Sequence, residues 1–268
     1  MTRARGQAKE PAPGLVPVVG FPFPVLASPQ VVPQAQEVAG RCARAYELLA
    51  DALGPRPDVT VLVLAPEDWP TADLPYGMPH YSAGRLVLAG QSAGFWRSFV
   101  PLLEQAPPPL YAASVEVYGE DLDLGPFFNL LGVHELGHAF HDRSRFPRRW
   151  LDETFANLCL HAYMATTETE AIAVLEAFPE AITSLDPALF EHRSLQEFEA
   201  LYSGMDPINY GWYQCHFHRA AKRVHDHGGI PALQRLWRRF VPSDEELAEV
   251  LRRDVDAELA RTLLEWLS

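Results

Sequence analysis

The pentapeptide His134-Glu135-Leu136-Gly137-His138 carries the densest chemistry in the chain. On a helix, residues four apart lie one turn above each other on one face, so the two imidazoles can converge on a single Zn²⁺. The glutamate beside the first histidine then stands next to a reacting water rather than on the metal. Two ligands, a base and an open coordination position are what metal-assisted hydrolysis requires. Phe127, Phe128, Leu130, Leu131, Val133, Leu136, Ala139 and Phe140 make this helix apolar on nearly every side. Such a helix is expected to be buried, and a buried histidine or glutamate needs a partner that a metal supplies.

A third ligand is offered by the next segment, Trp150-Leu151-Asp152-Glu153-Thr154-Phe155-Ala156-Asn157. Glu153 falls in the first turn of a second helix, with Asn157 one turn on, able to hydrogen-bond a ligand histidine. Asp152 is a rival ligand, its side chain pointing about 100° away from that of Glu153 around the helix.

HELGH followed by WLDETFAN resembles the gluzincins, the thermolysin and aminopeptidase N-like clan of zinc metallopeptidases, in which HExxH is followed by W-L-x-E-x-x-A. Carried over by position, the resemblance implies His134, His138 and Glu153 as zinc ligands and Glu135 as the general base. Glu135 would take a proton from water and deliver it to the leaving amine. A further donor to the oxyanion is expected from the segment NYGWYQCHFH, which offers Tyr210, Tyr213, His216 and His218. The resemblance favours a tyrosine, with Tyr210 ahead of Tyr213. It also implies a sheet edge along which an extended peptide pairs, and Arg85 to Ala89 is the candidate strand.

The chain departs from the family pattern in three places. The stretch from His138 to Glu153 is a few residues shorter than in most gluzincins, so the connection Arg143 to Arg149 must be tight. His141 and Ser144 stand where the longer metzincin motif wants glycine and histidine. Gly77-Met78-Pro79-His80 lacks the acid of the aminopeptidase exopeptidase motif, so an endopeptidase is expected rather than an aminopeptidase.

Positioning these residues requires a scaffold, and the hydropathy pattern predicts one. Apolar residues at helical spacing run from Val31 to Leu53 and stop at Gly54-Pro55. Val59–Leu64 and Arg85–Ala89 read as strands, and the alternation of Ser114–Tyr118 reads as a third. A helix opens at Gly125-Pro126, and no strand is expected beyond it. Capping-box starts appear at Thr167 with Glu170, Ser194 with Glu197 and Ser243 with Glu246. A long helix runs from about Pro207 to His227 and halts at Gly228-Gly229. Residues 1–14 read as a loose tail, and the Pro-rich stretch to about Pro29 as an extended segment rather than a regular element. The expected fold class is α+β: an extended segment 1–29, a small mixed α/β subdomain 30–125 with a sheet and edge strand, and an all-helical subdomain 126–268. The resemblance adds a zincin-like active-site cleft between the last two.

Composition bounds the partners. The 268 residues include 35 acidic and 22 basic side chains, a formal charge of −13 that disfavours phosphate-backbone binding. No apolar run reaches the roughly 18 residues of a membrane helix. Pro17, Pro22 and Pro24 break the only segment resembling a signal peptide core. Cys42, Cys159 and Cys215 read as reduced, buried thiols. A cytoplasmic protein with a peptide or protein substrate, no nucleic acid and no membrane partner is the expectation. His141, His161, His192, His225 and His227 read as helix-end or surface histidines. Arg143, Arg145, Arg148 and Arg149 read as a solvated loop, or one steering an acidic substrate, and Arg235, Arg238 and Arg239 as a solvated helix face. Two rival functions remain: a catalytically inactive zincin-fold binding module, and a hydrolase of non-peptide amides.

Overall fold

Of the run VTVLVL, Thr60–Leu64 forms a strand whose two faces are both buried. Val61 and Val63 face the main core, whereas Leu62 and Leu64 pack with Val87, Leu15, Leu26 and Trp69. This computed structural model describes residues 14–70, 74–141, 146, 148–202, 204–239, 249, 251–255, 257, 260, 261 and 266. Five strands make one sheet: β1 (Val16–Pro17), β2 (Val25–Ala27), β3 (Thr60–Leu64), β4 (His80–Ser82) and β5 (Arg85–Ala89), in spatial order β1-β2-β3-β5-β4. β2, β3 and β5 are parallel, and β1 and β4 run antiparallel at the two edges. Helix α1 (Val32–Leu53) makes the crossover from β2 to β3.

The helices are α2 (Val100–Leu103), α3 (Pro108–Tyr118), α4 (Gly125–Gly137), α5 (Arg149–Thr167), α6 (Ile172–Thr183), α7 (Leu195–Leu201) and α8 (Pro207–Arg238). The chain is thus mixed α and β with helix predominating, and no strand follows residue 125 among the described residues. One hydrophobic core runs from Val25 and Ala35 through Leu136 and Leu158 to Leu236. α5 is its axis: it is buried from Glu153 to Met164 and packs most extensively on α8. Among the described residues no helix is long and apolar enough to cross a membrane.

Several expectations are corrected. Ser114–Tyr118 lies in helix α3, because prolines 107–109 start a helix and Ser114 and Tyr118, four apart, form its buried side. Tyr118 donates to Val174 O at 2.7 Å and accepts from Phe178 N, tying α3 to α6. The Pro-rich stretch supplies the regular strands β1 and β2, its prolines falling at an edge or outside the ladder. Arg85–Ala89 is an interior strand, covered by β4, so the sheet edge nearest the motif is His80–Ser82. Ser194 and Glu197 do form a capping box. Thr167 instead ends α5, and α6 opens without a side-chain cap. α8, capped by Asp206, kinks at Gly229 (φ 54°, ψ −151°) and resumes to Arg238 rather than stopping. The loose tail (residues 1–13 of it), the box at Ser243 and most of the connection after His141 lie outside the described residues.

Glu168, just past α5, is the acid that fastens this axis to α1. Arg41 and Arg44 reach it at 3.1 and 2.9 Å, and Tyr163 Oη donates to it at 2.6 Å. Burial pushes its pKa up, but these three donors more than reverse that and bring it from the usual 4.5 to about 2. A depressed folded-state pKa contributes stability above the unfolded value that is lost as pH falls from 4.5 towards 2. Glu168→Gln is therefore expected to cost about 2 kcal/mol at pH 7 and much less at pH 3, read from urea unfolding at both pH values.

Candidate metal centre

α4 presents His134 and Glu135, and the chain then tightens into a 3₁₀ turn over His138–Phe140 that carries His138. Trp237 from the end of α8 fixes that turn by donating to Phe140 O at 3.0 Å. α5 approaches α4 closely at Gly137: a Cβ there would meet Ala156 Cα and Cys159 Cβ at 3.2 Å. The glycine inside HELGH thus lets the next helix bring its first turn against the histidines.

The result is a convergence on one carboxylate oxygen. His134 Nε2 lies 3.1 Å and His138 Nε2 3.7 Å from Glu153 Oε2. Ligand atoms about 2.1 Å from a shared tetrahedral ion stand about 3.4 Å apart, between these two separations. The donor set, two imidazoles and a carboxylate, is one that can hold a divalent ion. Glu153 is 1% exposed. Burial raises its pKa, but hydrogen bonds to His134 and His138 take it well below the usual range, so the group is a carboxylate.

Asp152 stands on the other side of His138. Its Oδ1 lies 2.9 Å from His138 Nδ1 and 2.7 Å from His141 Nε2. Burial raises its pKa and the two imidazoles lower it, to about 2. His138, Asp152 and His141 thus form a second group close enough for a metal. The two sets use opposite nitrogens of His138, and occupation of Nδ1 by Asp152 orients Nε2 towards Glu153. For His138, burial lowers the pKa and Asp152 and Glu153 raise it well above the usual value.

Glu135 projects from the same turn as the histidines but outside their set, and its Oε2 accepts from Tyr81 N at 2.9 Å. Burial raises its pKa, with His138 and His134 opposing. This carboxylate hydrogen-bonds the HExxH helix to edge strand β4.

Two residues of the site were missed in the sequence. Tyr202, at the end of α7, donates to Glu153 Oε1 at 2.5 Å, and the Arg149 guanidinium lies over its ring at 4.6 Å. Gln214 on α8 donates to Glu153 Oε2 and to Tyr210 Oη, both at 2.8 Å. Asn157 donates to Glu153 O and to Gln214 Oε1, and so holds the amide that holds Glu153. Gln214 had a signal, four residues from Tyr210 and from His218 on a largely buried helix. Tyr202 had none. Tyr210 belongs to this network, whereas Tyr213 is wholly buried and donates to Ser194 O at 2.7 Å. His216 packs between Trp212 and Trp266. His141 and His161 are buried rather than on the surface. Arg143 and Arg145 lie outside the described residues.

The chain matches no protein-family profile, no curated protein and no solved structure at a significant level. The site therefore rests on its own geometry.

Asp152→Ala releases the His138 ring while leaving Nε2 present. Loss of such a support is expected to weaken the binding of an added divalent ion by about 10–100-fold, measured by competition against a chromophoric chelator.

Proposed function

We propose that this chain is a zinc-dependent metallopeptidase, an endopeptidase of gluzincin type, that hydrolyses peptide bonds of a peptide or protein substrate. The single observation that carries the reading is the convergence of His134, His138 and Glu153 on one point, with Glu135 one residue away and outside the set. A structural zinc site uses four protein ligands and has no need of a base beside it.

In this reading His134 and His138 offer Nε2 to the ion and Glu153 offers a carboxylate oxygen. When bound there, zinc supplies Lewis-acid polarisation of water and of the scissile carbonyl. Glu135 accepts the proton of the attacking water and passes it to the departing amine. Its raised pKa suits both halves of that exchange, because a carboxylate that is too acidic keeps no proton to deliver. Tyr81 N–H holds one Glu135 oxygen in place. Tyr210 is assigned as the oxyanion donor, its oxygen steadied by Gln214, while Tyr202 is committed to Glu153. Edge strand β4 offers an extended substrate a backbone to pair with.

Glu135→Gln is expected to retain zinc and lose hydrolysis by at least about 10²-fold, assayed on a quenched-fluorescent peptide library. Unchanged turnover in that variant sinks the mechanism, and a zinc-loaded wild type that cleaves nothing in the library favours the binding-module reading. Tyr210→Phe is expected to lower kcat about 10²-fold with KM nearly unchanged; a change confined to KM assigns Tyr210 to substrate binding instead.

A further inference from the structure

Two turns along α5 from Glu153, the same face carries His161, in mid-helix and 1% exposed. A buried imidazole normally hydrogen-bonds through at least one nitrogen, because leaving it unpaired forfeits its hydration for nothing. His161 makes no such hydrogen bond among the described residues. Its Nδ1 has no partner among the described residues, and its Nε2 faces Asp226 Oδ1 at 3.9 Å, beyond hydrogen-bond reach. The His225 ring lies 5.2 Å from that of His161, centroid to centroid. One ligand atom each from His161, His225 and Asp226 lies within 4.8 Å of the other two.

We propose that His161, His225 and Asp226 form a second divalent-metal site, bridging α5 and α8 apart from the HExxH centre. An imidazole and a carboxylate sharing a tetrahedral ion stand about 3.4 Å apart, so 3.9 Å closes with a small rotation of the half-exposed Asp226 side chain. Two imidazole nitrogens and one carboxylate select a zinc-class transition ion over calcium or magnesium, which prefer all-oxygen shells. Asp226 also lines a cavity of about 80 Å³, which it shares with Glu176, Glu180, Arg219, Lys222 and Arg223. Lys222 pairs with Asp226 Oδ2 at 3.0 Å and with Glu176 at 3.1 Å, so it holds the carboxylate by the oxygen that does not face His161. His218, whose Nε2 is also buried without a partner, stands beside His161 outside the three-ligand set. An ion here clamps α5 to α8, the two helices that supply Glu153 and Gln214 to the first centre.

The test is the zinc content of the full-length protein after loading with Zn²⁺ alone and removal of excess, by elemental mass spectrometry. Wild type is expected to hold two ions per chain and His225→Ala one fewer. His225 is half-exposed, and a thermal melt followed by circular dichroism verifies that the variant folds. His227→Ala, on the exposed side of the same turn, is expected to leave the count unchanged. Equal zinc in wild type and His225→Ala overturns the second site, as does an equal loss in His227→Ala. Glu153→Ala separates the two centres. If only the second site exists, wild type holds one ion, Glu153→Ala keeps it and His225→Ala loses it; if only the first exists, the losses are reversed.

Discussion

A carboxylate with 1% of its surface exposed organises this molecule. Removing an ion from water costs several kcal/mol unless the surroundings return it as hydrogen bonds and opposite charge. Glu153 is repaid from four directions: the two histidines of HExxH, a tyrosine that ends α7 and a glutamine of α8. Each donor lies on an element that also packs into the core, so the charge can be satisfied only when those helices occupy one relative arrangement. A full complement of partners makes a buried polar network specify a fold, whereas a partly satisfied one only destabilises it.

The same constraint explains why the α5–α8 interface is not simply apolar. Glu153, Asn157 and His161 repeat every fourth residue on α5, opposite Tyr210, Gln214 and His218, which repeat likewise on α8. Side chains four apart stack on one face of a helix, so the two rows form a polar seam through a region otherwise filled by residues such as Leu158, Phe198 and Phe217. At the Glu153 end the seam is linked by hydrogen bonds from Gln214 to Glu153 and Tyr210 and from Asn157 to Gln214. At the His161 end it is not, and that asymmetry motivates the second metal site.

Sheet and helices meet at the motif in a similarly economical way. Gly132 and Gly137 leave room on opposite sides of α4, the first for Leu88 of β5 and Cys42 of α1, the second for α5. The helix is thereby sandwiched between the sheet and α5, and the motif's two histidines face Glu153 of α5. Glu135 instead meets the outermost strand, where its carboxylate accepts a hydrogen bond from Tyr81 N. In the peptidase reading this puts the general base beside the backbone along which a substrate would extend.

How much of this the sequence contained depends on how far apart the cooperating residues lie. HExxH with its apolar surroundings, the following WLDE turn, the strand VTVLVL and the helix Val32–Leu53 were legible because each signal is local, a matter of helical or strand period within about twenty residues. Position along α5 separated Asp152 from Glu153 only in angle. Which of them meets His134 and His138, and which turns His138 from behind, was decided by the approach of α5 to α4 at Gly137. The strand misread at Ser114–Tyr118 failed for the complementary reason: its two-residue alternation was real, but the prolines before it and the packing of α3 on α6 outweighed it. Tyr202, Gln214 and the pairing of His161 with His225 and Asp226 lie 49 to 65 positions from the residues they meet. No periodicity reaches that far; only the packed tertiary structure brings such side chains within a few ångströms, because the burial of one charge and one apolar core must be solved together.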